Sequence, residues 1–238
     1  MKTEVGVLQK LFFNLSTLKF CRSIGLGMTS CCLLFFVLAL YYPNTPFSAP
    51  TNAPSEVPVD ELLKAGDLTE ITMGQADAKV TIVEYASMTC GHCKNFHTTV
   101  FSDIKSKFID TGKIRFIFRE FPLDTRAFAA SMLARCVGDN KTMPMITVLF
   151  ETQADWAFVK ENPTPKLFEV AKQAGFTKET FDKCLTDQSL LDKLSASRTR
   201  ASEVFGVNAT PTFFINGKRL LEPPTIENFE KTLEPLLK

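Results

Sequence analysis

A run of β-branched and apolar residues, "VTIVEYA" (80–86), gives way four residues later to the pair Cys90 and Cys93, separated by Gly91 and His92. The run has the composition of a buried strand. After the cysteines the period changes: Phe96, Val100, Ile104 and Phe108 recur every four residues, one face of a helix expected to reach about Asp110, with Gly112 beyond its end. The two cysteines therefore sit at a strand-to-helix junction, and this juxtaposition restricts the possible folds more than any other feature of the chain.

The rest of the chain completes the pattern. In "KIRFIFREF" (113–121) Ile114, Phe116 and Phe118 alternate with Arg115 and Arg119, the period of a strand, and Pro122 closes it. A helical block over about 125–205 is divided by Gly138, by Thr164-Pro165, and by Gly175 with Thr177. Strand character returns in "TFFI" (212–215); Asn216-Gly217 is a strong two-residue hairpin signal, and a short strand and an amphipathic helix (225–237) follow. Strand, CxxC, helix, strand, helical block, strand pair and helix describe an α/β, thioredoxin-like fold with an inserted helical domain. A CxxC beside such a βα unit is a redox signature.

The N-terminal end sets the compartment. Residues 24–42 carry no charge and follow Lys2, Lys10, Lys19 and Arg22, a pattern that sends the downstream chain across a membrane. Pro43, Pro46, Pro50, Pro54 and Pro58 then read as an extended tether. The expected organisation is a signal or anchor segment at 1–42, a Pro-rich linker at 43–59 and the folded domain at 60–238, periplasmic and either exported by or tethered through residues 24–42. Whether that segment is cleaved is left open. With 27 Lys and Arg against 26 Asp and Glu, and no basic block, nothing points to nucleic acid.

In an oxidising compartment cysteines end up paired unless chemistry keeps them cycling. Cys90 is expected at the helix N-terminus, where unpaired backbone N–H groups and the positive end of the helix dipole favour thiolate over thiol. A free thiol near pKa 8.5 is only about 3% thiolate at pH 7. His92 can add a positive charge and an N–H near that sulfur, and Cys93, one turn in, is the expected resolving partner. Glu84, six residues before Cys90, faces either solvent or the interior behind the sulfurs, where it could take up a proton; strand alternation alone does not choose. His97 reads as a structural residue and is left outside the site. Thr210-Pro211 just before a strand suits a cis bond, although on pattern alone an ordinary trans proline is the simpler reading.

"VTIVEYASMTCGHC", the helical insertion and "ATPTFFING" together resemble the DsbA family of periplasmic thiol-disulfide oxidoreductases, in its alphaproteobacterial or membrane-tethered form, over roughly 68–237. The resemblance implies Cys90 as nucleophile, Cys93 as resolving cysteine, His92 as tuner of the pair, Glu84 as the acid beneath the site, and Pro211 as a cis-proline that lets Thr210 meet a substrate strand. It also implies reduced or unfolded secreted proteins as substrates, a DsbB-type membrane oxidase as recharging partner, a monomer, and no cofactor or metal. Two departures, Gly91 where the best-known oxidases carry proline and Thr210 where they carry valine, bear on oxidising strength. Cys136 and Cys184, each on an apolar helix face, are expected to form a structural disulfide, as in some alphaproteobacterial members; two buried free thiols are the alternative. Three other functions are set against the disulfide donor: an isomerase or reductase using the same site, a metal-binding module, and a noncatalytic surface protein. A closed zinc site needs four ligands, and only one CxxC is present.

Overall fold

The computed structural model describes residues 53–238. The expected membrane-directing segment and most of the expected linker lie outside the described residues. Among the described residues five strands form one sheet: β1 (Ile71–Met73), β2 (Val80–Ala86), β3 (Ile114–Glu120), β4 (Thr212–Ile215) and β5 (Lys218–Arg219), in the order β1-β3-β2-β4-β5. Only β2 and β3 run parallel, in register from Val80 opposite Ile114 to Ala86 opposite Glu120; the other pairings are antiparallel. Short helix α1 (Val59–Leu63) precedes the sheet; α2 (Gly91–Thr99) and α3 (Phe101–Ile104) link β2 to β3. Helices α4 (Thr125–Cys136), α5 (Asp139–Glu151), α6 (Gln153–Trp156), α7 (Thr164–Gln173), α8 (Lys178–Leu185) and α9 (Gln188–Phe205) form the insertion between β3 and β4, and α10 (Ile226–Leu237) ends the chain.

The central strands are buried on both faces, as helix-covered parallel strands are. On β2, Val80, Ile82 and Ala86 join the larger apolar core with the insertion, while Val83 and Tyr85 point into a smaller one with Leu62, Ile117, Phe205 and Phe214. On β3 charged residues are buried as well: Arg119 is only 9% exposed and Glu120 only 2%. The buried charges are matched: Arg119 donates to the Tyr85 hydroxyl (2.9 Å) and the Leu62 carbonyl (2.7 Å), and Arg135 grips both Glu120 oxygens at 2.6 and 2.7 Å.

The helix after the cysteines is not the continuous one that its apolar period predicts. Thr98 donates to the Lys94 carbonyl and Thr99 to that of Asn95, back-bonding that bends a helix. The axis breaks at Val100, and a wider five-residue turn over Lys105–Ile109 closes with the Asp110 N–H on the Lys105 carbonyl at 2.8 Å.

The domain also begins earlier than residue 60. Val57 is buried, its N–H donates to the Gly217 carbonyl (2.8 Å), and Glu56 bridges Lys218 beside β5. The free edge of β5 captures these linker residues because its backbone groups need partners. Asn216 and Gly217 both have positive φ, as the two-residue hairpin turn requires.

Cys136 and Cys184 are joined by a disulfide with a Cα–Cα distance of 6.1 Å, linking α4 to α8. Its sequence separation of 48 residues means that reduction frees a long loop in the unfolded chain. The double substitution Cys136→Ala/Cys184→Ala is expected to lower the unfolding free energy by up to about 4 kcal/mol by loop-closure entropy, as read by urea unfolding, with exchange at Cys90 retained. An unchanged urea midpoint would remove this role.

Candidate active site

The chain leaves β2 at Ala86 and turns through Ser87, Met88 and Thr89 to Cys90, the N-cap of α2. Two side chains of the insertion hold this turn. Gln153, 1% exposed, donates to the carbonyls of Met88 (2.8 Å) and Cys90 (3.0 Å). Asp124 accepts the Thr89 hydroxyl proton at 2.7 Å while capping α4 through the Ala127 N–H at 2.9 Å. The helical insertion therefore fixes the loop that carries Cys90. Neither Gln153 nor Asp124 stood out in the sequence, because a buried amide is recognisable only once its partners are placed.

Both cysteines are free thiols. The Cys93 N–H donates to Cys90 Sγ at 3.4 Å, and the Cys90 thiol lies 3.2 Å from the Thr210 carbonyl, its acceptor. The Cys90 thiol is lowered to about 5. The largest cause is the Cys93 side chain donating to its sulfur; burial opposes, and the Thr210 side chain and the N–H groups of Cys93 and His92 add to the lowering. The Thr210 hydroxyl is buried without a partner while Cys90 keeps its proton, so it is free to turn to the sulfur on ionisation. Cys93 is pushed the opposite way, well above the ordinary thiol range, first by burial and then by its contact with Cys90 and the charges of Glu84 and Cys90. One sulfur is thus built to be an anion at neutral pH and the other to keep its proton.

His92 is the second residue of α2. It is exposed, and the group acting on the Cys90 sulfur is its backbone N–H rather than its ring. At the N-terminal turn of a helix side chains point outward while the N–H groups point at the cap. Gly91 has open space where a Cβ would stand, so no steric demand explains glycine there.

Glu84 faces the interior and is fully buried. Its Oε2 lies 2.9 Å from His97 Nε2. His97, set aside in the sequence reading, stacks on Phe150 with centroids 4.5 Å apart and planes at 13°. The signal for it was the spacing of four from Cys93, which places the two on one helix face. Thr210–Pro211 is a cis peptide, and Pro211 leads directly into β4. Among the described residues no group of three or more His, Cys, Asp or Glu side chains could hold a metal ion.

A family model described as thioredoxin matches residues 67–235. The chain belongs to the thioredoxin family. Among relatives of this thioredoxin-family chain is a Rickettsia bellii protein named "Putative protein-disulfide oxidoreductase", 37% identical over 155 residues, which are 63% of this chain and 58% of that protein. A second Rickettsia relative is covered to 62%, so the chain spans about three fifths of the curated relatives it first matches. Among solved structures, Wolbachia pipientis alpha-DsbA1 superposes with a TM-score of 0.70 at 29% identity, covering 76% of this chain and 96% of that one. Bacillus subtilis BdbD in its oxidised form gives 0.63 at 25% identity, covering 71% and 92%. The thioredoxin-like fold with its helical insertion, and the likeness to DsbA proteins, stand on these matches together.

Proposed function

We propose that the chain is a protein-disulfide oxidoreductase that passes a disulfide between Cys90 and Cys93 to reduced cysteines of exported, unfolded proteins. The observation that carries this reading is the geometry of the two sulfurs: Cys90 caps α2, its Sγ receiving the Cys93 N–H and lying beside the Thr210 carbonyl, while Cys93 is wholly buried, so that Cys90 is lowered to about 5 and Cys93 raised. Stabilising one thiolate stabilises the reduced dithiol, which makes the disulfide the more oxidising partner.

A substrate thiolate attacks Cys90 Sγ, the bond to Cys93 breaks, and a mixed disulfide remains on Cys90. A second substrate thiolate attacks the substrate sulfur of that bond and releases Cys90 as a thiolate. Cys93, wholly buried, leaves as an anion and needs a proton, which we assign to Glu84. In the disulfide form Cys90 has no S–H, so the Thr210 carbonyl beside it is released for the backbone of an incoming peptide. Beside Thr89 a groove of about 430 Å³ lined by Asp124, Arg126, Ala157 and Phe158, the last 62% exposed, offers apolar contact to an unfolded chain. Recharging is assigned to a DsbB-type membrane oxidase, and residues 24–42 to export into, or attachment facing, the periplasm, with the protein acting as a monomer. No helix among the described residues is long and apolar enough to cross a membrane.

The deciding measurement is the reduction potential in glutathione buffers. DsbA combines a thiol near about 3.5 with about −120 mV, and thioredoxin about 7 with about −270 mV. A Cys90 thiol at about 5 is therefore expected to give a value between about −120 and −200 mV. A potential at or below about −200 mV would overturn the donor reading in favour of an isomerase or reductase.

A further inference from the structure

Glu84 and His97 are sealed from solvent, their side chains 0% and 1% exposed. Their contact uses one atom of each, Oε2 and Nε2. The other two, Glu84 Oε1 and His97 Nδ1, are buried without a hydrogen-bond partner. The imidazole is enclosed by phenylalanines: Phe150 stacked on it, and Phe96, Phe101 and Phe118 with ring centroids at 5.3, 5.0 and 5.7 Å.

This geometry selects a protonation state. An N–H at Nδ1 would be a buried donor facing hydrocarbon, which is costly, whereas a bare ring nitrogen there is a weaker loss. The ring proton therefore belongs on Nε2, where Glu84 Oε2 accepts it. With Oε2 occupied, the carboxylate has one free oxygen, Oε1. Cys93 lies one helical turn before His97 on the same buried face, and the Glu84 charge is among the influences it feels.

We infer that His97 is a positioning residue, held as the neutral Nε2–H tautomer, that occupies Glu84 Oε2 and leaves Oε1, which makes no direct hydrogen bond to Cys93, as the atom exchanging a proton with Cys93 across one bridging water. This rests on the exchange chemistry proposed above. When substrate attack breaks the Cys90–Cys93 bond, Cys93 leaves with the electron pair and takes the proton from the Glu84 acid, leaving cysteine thiol and carboxylate. In the reverse step the carboxylate removes that proton and the Cys93 thiolate attacks a mixed disulfide on Cys90. His97 keeps its single proton throughout, so the ring itself carries no charge and the negative charge left on Glu84 is held by the Nε2–H.

The test mixes the reduced full chain with glutathione disulfide, so that Cys90 forms a mixed disulfide and Cys93 then expels glutathione. His97→Phe, which fills the enclosure but lacks the N–H, is expected to slow the second step at least about tenfold and to leave the first within about threefold. His97→Gln, which can return an N–H to Oε2, is expected to restore the second step to within about threefold of the parent. A His97→Phe chain that expels glutathione at the parent rate, or a His97→Gln chain slowed equally, overturns the inference. Nitrogen NMR of the unsubstituted chain decides it even if His97→Phe does not fold. Expected is one neutral His97 ring protonated at Nε2 in both reduced and oxidised forms; an imidazolium or an Nδ1–H ring overturns it. Should the parent chain exchange nothing with glutathione, it is the oxidoreductase reading that fails, while the NMR result still judges the tautomer.

Discussion

Replacing Cys90 with Ser is expected to abolish disulfide exchange, lowering its rate by at least about a thousandfold, because a hydroxyl at the N-cap neither ionises at neutral pH nor forms the mixed disulfide. Cys93→Ala is expected to behave differently. Cys90 keeps the backbone donors of Cys93 and His92, so a disulfide-containing peptide still reacts with it. The reaction then stops at a stable mixed disulfide, because no second sulfur can displace the peptide. Stopped-flow kinetics with intact-mass measurement distinguishes the two. A Cys90→Ser chain that still oxidises a reduced peptide would mean that the function does not pass through this pair. Cys93→Ala also removes the largest single cause of the lowered Cys90 acidity, the Cys93 thiol itself. Its thiolate should therefore titrate at higher pH than in the parent, a secondary shift seen in the absorbance of the anion.

The second large effect is in pH. In the reduced chain Cys90 is expected to react with iodoacetamide with a midpoint near the lowered value of about 5, while buried Cys93 stays unlabelled through neutral pH. Folding stability follows with a definite sign. The folded value of Cys90 lies well below that of a free thiol, so its contribution is fully present above about pH 9 and is lost as pH falls through about 5. Each unit of lowering is worth about 1.4 kcal/mol, and with solvent at the rim of the site discounted, on the order of 2–3 kcal/mol is expected across that window. Cys93 works the other way: its raised value subtracts stability above about pH 9, where an unfolded thiol ionises and the buried one does not. The reduced chain should thus gain on the oxidised one from pH 5 to about 9 and lose part of that gain beyond. Urea midpoints of both forms, each keeping the Cys136–Cys184 disulfide, test this. A pH-independent gap between them would show that Cys90 carries no stabilised thiolate.

The fold class was readable because its signals are local. A β-branched run, an N-cap cysteine, a change of period from two to about four, and Asn216-Gly217 each act through backbone preferences that need no distant partner. The same locality misled where a neighbour intervened. The Phe96, Val100, Ile104, Phe108 period suggested one helix, and the hydroxyls of Thr98 and Thr99 bend it. Nor does local pattern reveal the partners of the charged residues of β3: Arg119 meets Glu70 and Tyr85, and Glu120 meets Arg135.

At the site the division is similar. Cys90, Cys93 and their place at a helix start are stated by the sequence, since helix geometry alone aims backbone N–H groups at the first sulfur. The face of Glu84, the partner of His97, the grip of Gln153 on the loop, the cis peptide before Pro211 and the pairing of Cys136 with Cys184 belong to tertiary structure. A strand or helix offers each of these side chains two or more surroundings of equal local energy. Only the packing of the insertion against the sheet, which removes water from Glu84 and His97 together, makes one of them far cheaper than the rest.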